Sequence, residues 1–296
     1  RGARGGGRNV AATARAGGRD MTKLPLSLAF VAGVLLALLP RSGSAADEAH
    51  PGAAQPPHAP KIAAQDWSFT GPLGTYDNAQ LQRGYNVYKT VCANCHSMRL
   101  LSYRNLGEKG GPEYSPEAVK VLAEQVQVTD GPNDQGESYQ RPGRPSDRFR
   151  SPYANDAAAR AANRGALPPD LSVMAKARPG GPDYIYALLT GYEPAPDGFG
   201  LAQGMQYNAA FPGHQIAMPP PLIEGVVPYT DGTKPTIDNY AKDVSAYLMW
   251  AAEPKLEERH MLGARVVIFL LVFAVIMFLA KRVVWDRLHG HATHTS

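Results

Sequence analysis

With 296 residues the chain has room for one sizeable domain plus additional segments. Its formal net charge of +4 conceals regions of opposite sign: residues 1–45 hold seven Lys or Arg and one acid, whereas residues 46–260 hold 19 basic and 24 acidic side chains, a net −5. An acidic body argues against a nucleic-acid partner and for a basic protein partner, and with only two Cys any thiol chemistry is confined to one pair.

Arg1–Asp20 is a run of Arg, Gly and Ala without apolar periodicity, expected as a leader or upstream segment. Met21 looks like a natural start, and residues 21–45 have the order of a secretory signal peptide. Lys23 is followed by the apolar stretch Leu24–Leu39, then Pro40, Arg41 and the small residues Ser42–Ala46, with cleavage expected near Ala45 or Ala46. An uncleaved membrane anchor is the competing reading, which the small-residue exit disfavours. Ala46–Gln65, rich in Ala, Pro and His, is expected to be extended and to open an exported domain over residues 46–260.

Asn78 is placed to cap a helix running through Leu81, Gly84, Tyr85, Tyr88 and Val91. That helix leads into Cys92-Ala93-Asn94-Cys95-His96. Two thiols at this spacing each form a thioether to one vinyl group of the same porphyrin, and the next residue is held under the iron, making His96 the proximal ligand. A redox pair or half of a zinc site is the alternative. Zinc needs further Cys or His at ligand spacing, and a thioredoxin-like protein needs a βαβ pattern around the pair; neither is visible. One covalently bound haem c is therefore expected, held by Cys92 and Cys95, with no structural disulfide. Export fits, because thioether attachment in bacteria takes place outside the cytoplasm.

Ser115-Pro116-Glu117 supplies an N-cap, a first-turn proline and an acid, opening a helix to about Val126. Residues 129–152, rich in Gly, Pro, Asp and Arg, read as a surface loop. Asp156–Asn163 reads as a short Ala-rich helix stopped near Gly165, and Pro182–Thr190 as another stopped at Gly191. Residues 191–235 are again loop, dense in Pro and Gly. In Ile237–Ala252, Tyr240, Val244, Tyr247, Leu248 and Ala251 keep helical spacing, and Pro254 ends the run. This helix is the candidate partner for the one carrying Gly84, whose missing side chain permits a close crossing. Much irregular chain around a few helices suits a domain whose core is a cofactor.

Met261–Ala280 holds one charge, Arg265. Twenty helical residues cover about 30 Å, the hydrocarbon thickness of a bilayer, so residues 261–280 are expected to span a membrane. Lys281, Arg282 and Arg287 follow, with Trp285 as an interfacial aromatic, which places the tail, residues 281–296, in the cytoplasm. His289, His291 and His294 in that tail suggest a metal site only weakly, and a solvated tail is the plainer reading.

The sixth iron ligand is not settled by spacing. Among eight Met, Met21 and Met277 lie in leader or membrane segments, Met98 is too close to His96 to reach the far haem face, and Met249 and Met261 sit on the last helix and the anchor. Met174, Met205 and Met218 remain, with His214 as a rival from another residue class. Met218 stands in a long loop, and the three prolines Pro219, Pro220 and Pro221 that follow it limit its drift.

Several stretches together resemble the cytochrome c1 family. They are Gln80–Gly84, Val87-Tyr88-Lys89, Cys92–Met98, Ala158–Asn163, Gly165–Ser172, Leu188–Tyr192, Phe211-Pro212-Gly213, Ile216-Ala217-Met218 and Trp250–Pro254, covering about residues 65–285 in the family's order. Two departures stand out: many relatives have Gln where this chain has His214, and some bacterial relatives carry an extra disulfide that two Cys already used cannot form. The resemblance implies a mainly α, class I c-type cytochrome fold with long irregular loops and one C-terminal transmembrane helix. It implies Met218 as distal ligand, Arg160 as partner of a haem propionate, and Pro168 with Pro169 as part of the haem wall. It further implies a subunit of the bc1 complex, the ubiquinol–cytochrome c oxidoreductase, in the bacterial inner membrane with its haem domain in the periplasm. The chain would pass single electrons from the Rieske iron–sulfur protein to a soluble basic c-type cytochrome, beside cytochrome b in a dimeric complex, making and breaking no substrate bonds itself. Two other functions compete: a membrane-anchored carrier serving another respiratory complex, and a haem enzyme or sensor with an open sixth position.

Overall fold

The structure, a computed structural model, describes residues 62–290, with side chains through Arg287. The leader, the signal peptide and its cleavage point, the chain before residue 62, His291, His294 and the side chain of His289 lie outside the described residues.

Helix α1, Asn78–Thr90, begins one residue earlier in its capping than the sequence suggests. Asp77, not Asn78, is the N-cap, its Oδ1 accepting from the amides of Ala79 and Gln80 at 2.9 and 3.2 Å. A carboxylate there satisfies two free N–H groups and complements the positive end of the helix dipole. After α1 come a 3₁₀ turn, Cys92–Asn94, and a 3₁₀ helix, Tyr103–Gly107. Helix α2, Pro116–Glu124, is capped by Ser115 Oγ, 3.2 Å from the Ala118 amide. It stops short of Val126 because the chain turns into strand β1, Gln127–Asp130, which pairs antiparallel with β2, Tyr139–Pro142. The expected plain loop after residue 129 thus contains a hairpin, tied at its base by Arg141, which bridges Asp130 and Asp147.

Helix α3 is Asp156–Ala162, capped by Asn155, and the short helix α4, Met174–Ala177, was not foreseen. Helix α5 is Gly181–Thr190. Within the loop expected over 191–235, the two-residue strands β3, Gln206–Tyr207, and β4, Gln215–Ile216, pair antiparallel. Helix α6, Ile237–Ala252, is capped by Thr236, and α7 runs from Leu256 to Gly290.

The frame is α1 crossed on α6, with α5 and α4 packed on α6 as well. Gly84 is the crossing point: a Cβ there would lie 2.1 Å from the Asp243 carbonyl oxygen and 2.6 Å from Tyr247 Cβ. Around the crossing, Tyr85, Tyr88, Tyr103, Phe149, Tyr247 and Trp250 form a chain of ring contacts in the buried core. Met98 is fully buried in it, its Sδ 3.5 Å from the Tyr247 hydroxyl. Beside the crossing, Arg83 pairs with Asp243 through Nε at 2.8 Å and Nη2 at 3.1 Å, and the Tyr229 hydroxyl donates to the same carboxylate at 2.7 Å. A buried carboxylate so provided for avoids the cost of an uncompensated charge.

The first turn of α7 belongs to this domain. Leu256 is buried, Glu257 Oε1 accepts from the Tyr76 amide at 2.8 Å, and the His260 ring contacts the Gly74 carbonyl at 2.9 Å. Glu253, between the two helices, pairs with Lys176 at 3.0 Å and with Arg259. Beyond it the helix is apolar and turned outward, Val266–Phe273 being exposed with Phe269 stacked on Phe273. Among the described residues it is the one helix long and apolar enough to cross a membrane, and none of its apolar stretch is buried within the molecule. The expected span Met261–Ala280 lies inside it, and the helix extends past both ends.

Candidate haem site

The Cys-x-x-Cys-His segment is held in one tight turn at the end of α1. The amides of Cys95 and His96 donate to the Cys92 carbonyl at 3.1 and 2.8 Å, and Asn94 Nδ2 donates to the Thr90 and Val91 carbonyls, closing the helix end. Both thiols are free and half-buried. Burial, reinforced by the neighbouring Cys95, pushes the Cys92 thiol up to about 12.

His96 is aimed by a long-range bond. Its Nδ1 lies 2.8 Å from the Pro169 carbonyl oxygen. A carbonyl only accepts, so the proton is on Nδ1 and the lone pair on Nε2. Burial lowers the His96 pKa, while the Pro169 bond and Asp170 act in the other direction. The neutral ring is the form a metal takes.

The segment that supplies this carbonyl is itself clamped to the haem turn. Asp170 Oδ2 accepts from Ser97 Oγ at 2.7 Å and from the Arg99 amide at 2.9 Å, and its Oδ1 accepts from the Ser172 amide at 2.9 Å. The Leu171 amide donates to the Ser97 carbonyl at 2.9 Å, and the Leu100 amide to Ser172 Oγ at 3.1 Å. Burial alone would raise the Asp170 pKa, yet the hydrogen bonds from Ser172, Arg99 and Ser97 outweigh it and hold the carboxyl below its usual range. Pro168 is half-buried and lines a cavity of about 210 Å³ with Cys95, Ala159 and Leu167.

The other candidate ligands sit in distinct surroundings. Met218 is half-buried just beyond β4, and its carbonyl accepts from the Tyr192 hydroxyl at 3.1 Å. Burial holds that hydroxyl protonated well above the usual tyrosine range. His214 occupies a left-handed backbone position, φ 57°, in the turn between β3 and β4. Its ring stacks on Tyr207 at 5.6 Å, and its Nδ1 is 3.3 Å from the Asn208 carbonyl oxygen. Met174 starts α4 and packs against the core. Met205 lines a cavity of about 420 Å³ with Arg164, Ala166 and Ala217, next to Met218. Arg160 is exposed, its Nη1 donating to the Gly165 carbonyl at 3.1 Å.

The residues fit a covalently held haem. Two free thiols and an imidazole share one turn, the imidazole nitrogen that would meet iron has no hydrogen-bond partner among the described residues, and cavities lie beside Cys95 and Ala217. Reading the residues singly had missed Asp170, Ser97, Tyr192 and Asn208. Within the matched stretches, Pro169-Asp170-Leu171-Ser172 was the available signal for the first of these.

A helical domain of crossed first and last helices, a Cys-x-x-Cys-His turn between them and one outward-facing apolar helix define a membrane-anchored c-type cytochrome. Comparison with protein families finds the Cytochrome C1 family over residues 67–288. Among curated relatives, "Cytochrome c1" of Rhodospirillum rubrum is 47% identical over 237 residues, covering 75% of this chain and 86% of the relative. "Cytochrome c1" of Blastochloris viridis is 43% identical over 279 residues, covering 88% and 94%. "Cytochrome b/c1" of Bradyrhizobium diazoefficiens is 47% identical over 242 residues, 75% of this chain but only 35% of that relative, so the chain spans about a third of its length. The chain belongs to the cytochrome c1 family, haem proteins of respiratory electron transport.

Proposed function

We propose that the chain carries a single haem c bound by thioethers from Cys92 and Cys95, with His96 Nε2 and Met218 Sδ as axial ligands. When bound, the haem supplies a reversible one-electron iron couple. The observation that carries the reading is the His96 Nδ1 bond to the Pro169 carbonyl, which leaves Nε2 as the sole free donor of that ring beside the two thiols. The Asp170 clamp fixes that geometry from outside, as partners of metal-bound histidines do. Pro168 is proposed as haem wall, in keeping with the cavity it lines beside Cys95. Arg160 is the member of the set with least support, since its guanidinium faces solvent and serves the Gly165 carbonyl.

The electron is taken from the Rieske iron–sulfur protein and given to a soluble basic c-type cytochrome, within a dimeric bc1 complex that also contains cytochrome b, a ubiquinol–cytochrome c oxidoreductase. Family membership supports this, as does the name of the Bradyrhizobium relative, which joins b and c1. Residues 1–20 are proposed as a leader or upstream segment, 21–45 as signal peptide, 46–260 as periplasmic domain, 261–280 as the transmembrane span in a bacterial inner membrane and 281–296 as cytoplasmic tail. Lys281, Arg282 and Arg287 after the span support that orientation.

Affinity purification of the tagged chain from detergent-solubilised membranes tests the assembly: cytochrome b and the Rieske protein should co-elute. Their absence, with another oxidase in their place, would point to a different respiratory complex. Carbon monoxide binding by the reduced, unmutated protein would instead indicate an open sixth position and a haem enzyme or sensor.

A further inference from the structure

The hydroxyl of Tyr192 reaches 26 residues along the chain to the carbonyl of Met218, the one side-chain hydrogen bond to that residue among the described residues. The loop bearing Met218 is fixed on both sides of it. Upstream, β4 pairs with β3, and the buried side chain of Asn208 donates to the Leu188 carbonyl at 2.8 Å while accepting from the amides of Ala210 and Phe211. The Ala209 amide donates to the Gly191 carbonyl at 2.8 Å, and Tyr192 forms an isolated bridge with Asn208. Downstream, three prolines restrict the backbone. The end of α5, packed on α6, therefore holds this loop at Leu188, Gly191 and Tyr192.

We propose that Tyr192 is a positioning residue for the sixth ligand: its hydroxyl, by fixing the Met218 carbonyl, limits how far the thioether can withdraw from the iron. The inference rests on the reading of Met218 as that ligand. With the carbonyl tied, backbone motion at Met218 is restricted and the side-chain torsions carry most of the remaining freedom of the thioether. Without the tie, the loop segment between Ala217 and Pro219 rotates as well, and the ligand-off form gains population.

The test uses the full-length haem-loaded protein in detergent and the variants Tyr192→Phe and Tyr186→Phe. The Tyr186 hydroxyl, on α5 just upstream of the segment that carries Tyr192, donates to Asp238 at 2.6 Å and serves as control. The readouts are the charge-transfer band of the iron–thioether bond, the reduction potential and carbon monoxide binding to the reduced form. Tyr192→Phe should keep covalent haem while weakening the band, lowering the potential and raising the ligand-off population up to about tenfold, the size of one lost hydrogen bond. Tyr186→Phe should leave all three unchanged. An unaltered band and potential in Tyr192→Phe would overturn the proposal, as would equal changes in both variants, which would mean general loosening of α5. A parent protein without the band would remove the Met218 ligation itself, a result separable from failure of the tyrosine alone.

Discussion

Met218 and His214 stand four residues apart on the same loop, in different surroundings. The His214 ring is stacked on Tyr207 and directed at the Asn208 carbonyl, inside a turn that its own positive φ helps to close. A Met/His pair raises the potential relative to two imidazoles, as the proposed role of accepting Rieske electrons requires. Met218→Leu is therefore expected to keep covalent haem but to open the iron to carbon monoxide and lower the potential by a sizeable part of the ~0.8 V window that axial ligands control. His214→Ala should leave both nearly unchanged, because Met218 stays tied to Tyr192. Redox titration and carbon monoxide difference spectra on the two variants decide the matter: loss of the sixth ligand in His214→Ala alone would reverse the assignment. The Cys-x-x-Cys-His turn was legible because its chemistry is local. The groups that aim it were not, since Pro169 and Asp170 lie 73 residues from His96 and Ser97, and only folding brings them together.

At the scale of the elements, helices marked by a cap, an apolar stripe, an Ala run or a Gly stop could be read from the chain: α1, α2, α3, α5 and α6 all lie where their patterns put them. The hairpin β1–β2 escaped because none of its residues is fully buried and most are polar, so no alternation of polar and apolar residues marks its faces in the sequence. Helix α4 is four residues long, too short for any period to register. Gly84, by contrast, predicted the crossing from a single missing side chain. Gly84→Ala is expected to lower stability by about 3 kcal/mol, the upper part of the overpacking range, because the obstructing atom is the Asp243 backbone and cannot rotate away. Asp243→Ala should cost about 1–3 kcal/mol by removing the bidentate partner of Arg83 and the acceptor of the Tyr229 hydroxyl, while Arg83 keeps Asp231 at 2.8 Å. Denaturant midpoints of the two variants, followed by haem-region absorbance, check both figures. A change below ~1 kcal/mol in either would mean that the helix pair yields more readily than its contacts indicate.

On the scale of the whole molecule, the boundary between domain and anchor falls inside α7, since Glu257 and His260 bond to the segment Gly74–Tyr76 while the residues from Met261 onward face outward. Deleting 261–296 should accordingly release a soluble haem domain of full stability, whereas deleting from Leu256 should strip the Tyr76 amide of Glu257 and lower the melting temperature; membrane retention of the first truncation in high salt would refute the anchor. The released domain then allows the charge argument to be tested free of lipid. Residues 46–260 sum to −5, and two haem propionates add to that sign. A basic cytochrome should thus be drawn in over long distances at low salt. The screening length shrinks from about 30 Å at 0.01 M to ~8 Å at 0.15 M, so the association rate constant should fall steeply across that interval. A neutral or acidic cytochrome of equal size should show a flat or rising dependence. Stopped-flow electron transfer between the reduced domain and each acceptor measures this, and a rate with the basic acceptor that is flat in ionic strength would mean that docking relies on apolar contact rather than on the net charge of the domain.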